Sequence, residues 1–359
     1  MESKKTILHI IPALGRGGAE TILVTTVKEL KNYRNIVVTF YNANGYTNEL
    51  VCDKLINLNI KNSFFSPFYC FKLRKIIRNE NVDLVHSRLF WATMLARLAV
   101  PKKIPLITTI HSYISKSFEY KKFYIRWVDK LFYRFHKSIM LADSGGALND
   151  YFSYLKLKPF KAISPYTFVD PRIFKANTEK SYKSGKIVKL ITVGRIAKQK
   201  NHQFFIDAFK LLKDEPIELH IYGYKAIKED IETQIQQAGV KIILKGQVDN
   251  LNELLPQYDI FVMASVYEGF SLAVLEAMAM GMPLLLSNIE SFKEQCEETA
   301  IYFNLINQVE FVDKLKQLTL DEEKRKRLGN AAKERVLKHF TLDNHMKVMN
   351  SIYESALGS

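Results

Sequence analysis

The chain has 359 residues, of which 47% are hydrophobic and 25% are charged, and this composition excludes a disordered or fibrous protein. Its three cysteines, Cys52, Cys70 and Cys296, are too few and too widely spaced for a disulfide framework or a metal-binding box. The apolar run from Ile7 to Pro12 is too short for a membrane span and lacks a cleavage region, so we expect a cytoplasmic protein.

The net charge of +15 is unevenly distributed. Residues 1–175 hold 28 Lys and Arg against 12 Asp and Glu, whereas residues 176–359 hold 24 against 25. This change predicts a domain boundary near residues 165–180. The basic first half favours contact with something anionic, such as a membrane surface or a phosphorylated acceptor, although solubility alone would also account for it.

Short runs rich in Ile and Val alternate with segments of helical periodicity along the first half of the chain. The apolar runs predict buried parallel strands at Thr6–Ile11, Asn35–Tyr41, Asp83–His86, Pro105–Ile110 and Ser138–Ala142. The segments between them predict helices at Glu20–Leu30, Phe68–Asn79 and Ala92–Val100.

The same alternation restarts after a predicted linker at Ser164–Lys186. Strands are predicted at Lys189–Val193, Glu218–Tyr222, Lys241–Leu244, Asp259–Met263 and Pro283–Leu286. Helices are predicted at 201–213, 226–238, 251–257 and 271–280.

Two successive α/β halves predict an α/β protein of two Rossmann-like domains facing a cleft. We place the first domain at residues 1–168 and the second at residues 169–340, and expect a C-terminal helix at 341–359 to pack back on the first. Ligands of open α/β sheets bind at the carboxyl ends of the strands, so the cleft is the expected site.

A helix start follows the fourth predicted strand of the second half. Ser271 stands at the N-cap, and the amides from Ser271 to Ala273 predict an anion site strengthened by the helix dipole. Glu268 stands just before this turn, where a carboxylate would repel an anion. We therefore expect Glu268 to accept hydrogen bonds from neutral hydroxyls, as on a sugar.

The sequence around this helix start, residues 268–283, resembles the signature of a known enzyme family. Glu268 and Glu276 enclose Gly269-Phe-Ser-Leu272, and Glu276 begins the run Glu-Ala-Met-Ala-Met-Gly-Met-Pro283. This pattern resembles the signature of retaining glycosyltransferases of the GT-B fold and family 4 type, the glycosyl transferases group 1.

Three further stretches match that family in order. Val193-Gly-Arg-Ile-Ala-Lys-Gln-Lys-Asn-His202 resembles its Gly-Arg turn and lysine, with Asn201 where glycine is more usual. Gly15-Arg-Gly-Gly-Ala-Glu20 resembles its first-domain glycine loop, and Thr108-Thr-Ile-His111 places a histidine as in its cleft. Considered singly, Arg195 and Lys200 would be interpreted as solvated surface charge. The glycine loop would be interpreted as a structural turn, and His111 as an ordinary core or surface histidine.

The resemblance implies a role for each matched residue. Arg195, Lys200 and the Ser271–Leu272 amides would bind the diphosphate, Glu268 the donor sugar and Glu276 the ribose. The implied catalytic residues are His111, Glu268, Arg195 and Lys200. The implied donor-binding residues are Gly17, Gly18, Gly194, Arg195, Lys200, Val248, Glu268, Gly269, Phe270, Ser271, Leu272 and Glu276.

The sequence lacks several motifs of other enzyme classes. It has no Asp-x-Asp motif, so we expect no cofactor and no metal, with the basic side chains and helix start in place of a cation. A nicotinamide-binding Gly-x-Gly-x-x-Gly motif and a Walker loop are also missing. Thr167-Phe-Val-Asp170, with Phe174, departs from the family's usual Asn-Gly-Val-Asp, which leaves the hinge or acceptor contact there open.

The segment Ser115–Lys137 interleaves aromatic and basic residues. Four of its apolar residues form one helical stripe, at Phe123, Trp127, Leu131 and Phe135. We expect this stripe to face the core with the basic face solvated; contact with anionic lipid is the alternative. Nucleic-acid binding is not expected, because no recognition module accompanies the basic residues.

These features, together with the resemblance, predict a metal-independent hexosyltransferase that moves a sugar from a nucleoside diphosphate, with UDP expected, to an acceptor hydroxyl. Retention of configuration is implied by the resemblance alone. The expected acceptor is a lipid-linked or polysaccharide intermediate in cell-surface glycan synthesis, which would bring the enzyme to the inner face of the membrane. Alternatives are an epimerase or phosphorylase on the same fold, or a non-catalytic subunit that binds sugar nucleotide or membrane.

Overall fold

The computed structural model describes residues 4–15, 17–42, 45–46, 49–60, 67–117, 119–172, 180–182, 185–224, 230–248 and 250–358. The chain divides into two compact units. The first comprises residues 1–167 together with 343–359, and the second comprises residues 168–342. Arg16 of the glycine loop, Phe118 of the aromatic segment and Phe174 of the linker motif lie outside the described residues, as do parts of the predicted linker and of the predicted helix 226–238.

The first unit is built on a sheet of seven parallel strands in the order β3-β2-β1-β4-β5-β6-β7. The strands are β1 Thr6–Ile11, β2 Arg34–Thr39, β3 Lys54–Asn57, β4 Leu84–Arg88, β5 Leu106–Ile110, β6 Ile139–Ala142 and β7 Lys161–Ile163. The connecting helices are α1 Gly18–Glu29, α2 Pro67–Asn79, α3 Phe90–Ala99, α4 Phe123–Phe135 and α5 Gly145–Leu155. Helices cover both faces, so the central strands are buried throughout and are rich in Ile, Val and Leu.

The second unit contains a sheet of six parallel strands in the order β10-β9-β8-β11-β12-β13. The strands are β8 Val188–Val193, β9 Ile217–Tyr222, β10 Ile242–Gly246, β11 Ile260–Met263, β12 Leu284–Ser287 and β13 Ile301–Phe303. The helices are α6 His202–Phe209, α7 Ile231–Ala238, α8 Leu251–Leu254, α9 Leu272–Ala279, α10 Glu290–Cys296, α11 Gln308–Leu320 and α12 Glu322–His339. Phe204 stacks on Phe303 in its core, with ring centroids 5.0 Å apart.

The C-terminal helix, α13 Leu342–Leu357, packs in the first unit through polar contacts. The Tyr353 hydroxyl lies 2.7 Å from His86 Nδ1, and His345 Nδ1 lies 2.7 Å from the carbonyl oxygen of Tyr166. Tyr353 is fully buried, so this helix contributes to the interior of the first unit.

The predicted fold class, α/β with two Rossmann-like domains, is confirmed by these two parallel sheets. Three strands were not predicted: β3, β7 and β13. All three lie at sheet edges and are only three or four residues long. An edge strand has one neighbour and less apolar burial, so it lacks the continuous apolar run of a central strand.

Candidate active site

The strands β8 and β11 are parallel neighbours in the second unit, with Ile191 paired to Phe261. Their carboxyl ends therefore lie side by side, and the loops that follow them meet. The amide of Val266 donates to the carbonyl of Gln199 at 2.8 Å, and Gln199 Nε2 donates to the carbonyl of Tyr267 at 2.9 Å. These bonds tie the loop that carries Lys200 to the loop that carries Glu268.

Two glycines allow the chain to pass closely at this point. Gly194 and Gly223, which follow β8 and β9, both have φ of +152°. A Cβ atom on Gly223 would overlap the carbonyl oxygen of Gly194, and a Cβ atom on Gly194 would lie 2.9 Å from Lys200 Cε. The side chain of Lys200 therefore crosses the space that a larger residue at position 194 would fill.

Lys200 and Glu268 form an ion pair in the second unit. Lys200 Nζ lies 2.8 Å from Glu268 Oε1, and the two side chains are only 14% and 9% exposed. Within the described residues, however, Oε1 accepts no hydrogen bond of ordinary geometry. The two charges offset each other, while both groups keep the capacity to bond something else.

Asn201, directly after Lys200, occupies a left-handed backbone conformation with φ of 51° and ψ of 48°. Asparagine adopts this conformation more readily than other non-glycine residues. This explains why the chain can carry asparagine where the related motif usually has glycine, without a change in the turn that positions the lysine.

The start of helix α9 differs in one respect from the predicted anion site. Ser271 caps the helix through its Oγ, which accepts from the Val274 amide. The Ser271 amide, predicted to be free, instead donates to Gln295 Oε1 at 3.1 Å, and Gln295 Nε2 donates back to the Ser271 carbonyl at 2.8 Å. Among the described residues, the amides of Leu272 and Ala273 have no hydrogen-bond acceptor. The available donors therefore begin at Leu272.

Met263, the last residue of β11, connects the lysine to this helix start. Its sulfur lies 3.8 Å from Lys200 Nζ and 3.8 Å from Ser271 Oγ. Lys200, Glu268 and the first turn of α9 thus surround one point at the carboxyl end of β11.

Glu276 lies on the second turn of α9 and is partly buried. Removal from water raises the pKa of its carboxyl to about 8; the negative charge of Asp170 also raises it, whereas Arg172 lowers it. Arg172 is itself bound to Asp170, with Nη2 2.6 Å from Oδ2. The charged residues that act on Glu276 are therefore Asp170 and Arg172, not Lys200. Burial disfavours the ionised form of its carboxyl in the free protein.

The remaining predicted donor residues of this unit occupy varied environments. Arg195 is exposed and Gly269 is buried. Phe270 is 7% exposed and packs edge-on against Phe340, so its ring belongs to the core. Val248 is partly buried and follows Gln247, which lines a cavity of about 370 Å³ together with Gly223, Tyr224 and Gly246.

In the first unit, His111 follows β5 and pairs with Asp143, which follows β6. His111 Nδ1 lies 2.8 Å from Asp143 Oδ2, and both side chains are more than 90% buried. No side chain or backbone group in the described part of the chain bonds His111 Nε2, although that atom is buried. His111 also lines a cavity of about 220 Å³ with Trp91, Phe90 and Tyr120.

The predicted glycine loop also lies in the first unit. Gly17 is the N-cap of α1, and Gly18 is its first, exposed residue. A Cβ atom on Gly17 would lie 2.5 Å from Glu20 Oε2, so the missing side chain leaves room for a carboxylate of the same helix. The Glu20 carboxylate therefore occupies the space beside Gly17.

The prediction that the aromatic stripe of residues 123–135 faces the core is wrong. Phe123 is 76% exposed and Trp127 is 65% exposed, whereas Ile125, Asp129 and Tyr133 form the buried face of α4.

In the described ranges, no three His, Cys, Asp or Glu side chains gather closely enough to hold a metal ion. None of the helices described combines the length and apolar composition that a membrane crossing requires.

Comparison with solved structures supports the two-domain fold. A glycosyltransferase from Rickettsia africae superposes with a TM-score of 0.81 at 20% identity, covering 99% of both chains. Anabaena Alr3699/HepE in complex with UDP superposes with a TM-score of 0.83 at 15% identity, covering 98% of this chain and all of that one. These likenesses show the GT-B fold.

Curated relatives match along most of the chain. One is the Campylobacter jejuni N-acetylgalactosamine-N,N'-diacetylbacillosaminyl-diphospho-undecaprenol 4-alpha-N-acetylgalactosaminyltransferase, 24% identical over 90% of this chain and 93% of the relative. Another is the Bacillus anthracis N-acetyl-alpha-D-glucosaminyl L-malate synthase, 25% identical over 80% of this chain and 78% of the relative.

Two family models match consecutive parts of the sequence. The model described as Glycosyltransferase Family 4 matches residues 16–143, and the model described as Glycosyl transferases group 1 matches residues 174–335. The first match ends at Asp143, and the second includes Lys200, Glu268 and Glu276. The protein therefore belongs to the glycosyltransferases of the group 1, family 4 type.

Proposed function

We propose that this glycosyltransferase moves a hexosyl unit from a UDP-sugar to a hydroxyl of a lipid-linked glycan, with retention of anomeric configuration and without a metal ion. The finding that carries the proposal is the buried ion pair of Lys200 and Glu268. The relatives that act on undecaprenol-linked substrates support the acceptor class, and the UDP complex of a structural neighbour supports the donor class.

The ion pair suits a nucleotide-sugar donor because that ligand carries two kinds of group. Its diphosphate is anionic, and its sugar hydroxyls are neutral donors. When the donor binds, Lys200 can bond the diphosphate and Glu268 can accept hydrogen bonds from the sugar. A hydrogen bond to a charged group contributes about 1.5–3 kcal/mol, so both partners gain a bond in place of their mutual contact.

The same residues suit the chemistry of transfer. As the bond to the anomeric carbon breaks, that carbon gains positive charge and the diphosphate gains negative charge. Fixed donors at the leaving group then stabilise the transition state more than the bound substrate, and one such donor typically changes kcat by about 10²–10³-fold. Lys200, Arg195 and the Leu272 amide at the start of α9 would supply these donors in place of a metal cation.

The nucleoside would extend from this point along the carboxyl edge of the sheet. The 370 Å³ cavity beside Gly223 and Gly246 lies next to the Gly194 turn, and Val248 directly follows its lining residue Gln247. Glu276 would accept hydrogen bonds from the ribose hydroxyls, which would offset the unfavourable burial of its carboxylate.

In the first unit, His111 would contact the reacting sugars. Its buried Nε2 atom has no hydrogen-bond partner in the described part of the chain, so a hydroxyl could bond it without displacing a protein group. No contact among the described residues favours the epimerase, the phosphorylase or the non-catalytic alternative.

The proposal is tested by incubating the purified protein with a panel of nucleotide sugars and a polyprenyl-diphosphate-linked monosaccharide. We expect an extended lipid-linked product with UDP release, an unchanged rate in EDTA, and an anomeric coupling constant in the product that matches the donor. Product formed without acceptor would instead identify an epimerase. Strict dependence on inorganic phosphate would identify a phosphorylase, and absence of any turnover would contradict transfer.

A further inference from the structure

We propose that the outward face of helix α4 docks the protein on an anionic phospholipid bilayer. This proposal rests on the proposed function only for the reason that docking would be useful, because a lipid-linked acceptor lies in such a bilayer. The surface consists of Phe123, Trp127, Leu131 and Phe135, called here the aromatic face. These side chains are 76%, 65%, 46% and 55% exposed, respectively.

The aromatic face is continuous rather than a scatter of single residues. Its four members recur at every fourth position and so occupy one side of three helical turns. The opposite side of the helix holds Ile125, Asp129 and Tyr133, all at most 3% exposed. Single exposed apolar residues are ordinary, but an exposed aromatic stripe of this length is typical of an interaction site.

The charge around the aromatic face is positive. Six basic residues occur on the helix and at its ends: Lys121, Lys122, Arg126, Lys130, Arg134 and Lys137. The single acidic residue in this stretch, Asp129, is 1% exposed, bonded to Arg97 and accepts a hydrogen bond from Tyr151 at 3.0 Å. No negative charge on the helix therefore offsets the basic residues on its solvent side.

A nearby lysine extends this pattern. Lys102 Nζ lies 4.9 Å from the centroid of the Phe135 ring, so a cation borders the far end of the aromatic face. Aromatic side chains flanked by lysine and arginine suit the boundary of a bilayer, where rings enter between headgroups and cations meet lipid phosphates.

The charge decides between a bilayer and a second copy of the chain. A symmetric dimer through this surface would bring the basic residues of two identical helices together, and the like charges would repel. An anionic bilayer presents phosphates to the cations and acyl chains to the rings. The surface therefore fits a membrane better than itself.

The first test measures flotation with vesicles of phosphatidylcholine containing phosphatidylglycerol. The test variant carries Phe123→Ser and Trp127→Ser. The matched control carries Ile306→Ser and Leu320→Ser, which remove two apolar residues that are 86% and 87% exposed in the second unit. Because interfacial binding scales with buried apolar area, we expect the test variant to lose about tenfold or more in partitioning and the control to match the wild type.

The second test uses the two tryptophans of the chain, Trp91 and Trp127. Vesicles containing brominated phosphatidylglycerol should quench part of the wild-type fluorescence and shift the emission to shorter wavelength. A Trp127→Phe variant should still float but lose most of this response. A response that persists in that variant would place Trp91 rather than the aromatic face in the bilayer and would overturn the proposal.

Several outcomes would contradict docking. Wild-type protein that stays with the aqueous phase, or a double serine variant that floats like the wild type, would do so. Dissociation of a wild-type dimer by the serine substitutions, without vesicle binding, would assign the surface to a second copy. Binding needs no donor, so flotation without glycosyl transfer would contradict the proposed function alone, and transfer without flotation would contradict docking alone.

Discussion

His111 and Asp143 follow adjacent strands of the first unit and meet with a separation of 2.8 Å between Nδ1 and Oδ2. An ionised carboxylate only accepts hydrogen bonds, so Nδ1 carries the proton. In the neutral ring, Nε2 then presents a lone pair, and the structure leaves that atom buried without a partner in the described residues. Asp143 therefore sets which nitrogen of His111 can accept a hydrogen bond.

We predict that Asp143→Asn lowers kcat by about 10- to 100-fold, equivalent to the loss of one charge-assisted hydrogen bond. An asparagine amide can donate to Nδ1 and so favour the proton on Nε2, which then no longer accepts. The ¹⁵N spectrum of the His111 ring should show this change of tautomer, with the signal assigned through a His111→Gln variant.

Asp150 provides a matched control for this prediction. It is another carboxylate of the first unit, and its Oδ2 accepts from the Ser115 amide at 3.0 Å. Asp150→Asn should leave both the His111 spectrum and kcat within about twofold of the wild type. An Asp143→Asn enzyme with normal kcat and an unchanged tautomer would show that the contact is only structural.

The glycines at the carboxyl edge of the second sheet should differ in their response to alanine. At Gly246, φ is +76° and a Cβ atom would meet no other atom within 4 Å, so Gly246→Ala should cost only the left-handed strain of about 1–2 kcal/mol. Gly223→Ala adds an overlap with the Gly194 carbonyl and should be far more destabilising. Urea unfolding measures both costs.

Gly194→Ala should instead reduce catalysis more than stability. The nearest atom to its Cβ would be Lys200 Cε, the flexible end of a side chain that can move away. The lysine would then leave the diphosphate position, so we expect a drop in kcat together with a smaller loss of stability than that of Gly223→Ala, which has the same φ but must also displace a backbone carbonyl. Unchanged kinetics would show that the path of Lys200 over Gly194 does not matter for transfer.

Glu276 should make donor binding depend on pH. Its pKa of about 8 in the free protein means that much of the carboxyl is protonated at neutral pH. If ribose hydroxyls bond the carboxylate, affinity for UDP-glucose should rise between pH 6.5 and 9, by at most about tenfold per pH unit. Titration calorimetry should detect proton release on binding, and Glu276→Gln should abolish both effects.

The raised pKa of Glu276 also makes the stability of the fold depend on pH. Donor affinity should rise with pH, whereas the stability contributed by this group should fall. Between pH 4.5, the ordinary pKa of the group, and about pH 8, the folded chain keeps a proton that the unfolded chain loses. Stability contributed by this group therefore falls as pH rises through that range. Glu276→Gln should gain stability relative to the wild type toward pH 8, and an equal difference at pH 4.5 and pH 8 would contradict the raised pKa.

Gln295→Leu should destabilise the second unit because it leaves the buried amide of Ser271 unpaired, whereas the Ser271 carbonyl keeps its hydrogen bond from the Leu275 amide. An unpaired buried amide costs about 1–3 kcal/mol. Lys293→Leu, an exposed change on the same helix, should cost under about 0.5 kcal/mol. Equal unfolding midpoints for the two variants would mean that Gln295 does not hold the start of α9.

The central strands could be predicted from sequence because burial on both faces produces continuous apolar runs. The aromatic stripe of α4 could not be oriented in this way. Ile125, Asp129 and Tyr133 recur with the same spacing as Phe123 and Trp127, so periodicity alone does not show which side is buried. An aspartate on the buried side is tolerated only because Arg97 and two tyrosine hydroxyls bond it.

The candidate site was predicted in part. Lys200 and Glu268 belong to long sequence motifs, and the structure brings them together. Asp143 directly follows the predicted strand after that of His111. This position could have indicated a site residue, but many surface aspartates also follow strands. Gln295 comes from a short helix 24 residues beyond Ser271 and has no local pattern, so its contact becomes evident only in the folded chain.

The role of Lys200 in transfer is tested most directly by comparing acceptor-dependent UDP release by the wild type, Lys200→Ala and Lys198→Ala. Lys198 is an exposed lysine of the same turn and controls for charge. We predict that Lys200→Ala loses about 10²–10³-fold in kcat while remaining folded, and that Lys198→Ala stays close to the wild type. Near-normal turnover by Lys200→Ala would contradict the assignment of Lys200 to the leaving diphosphate.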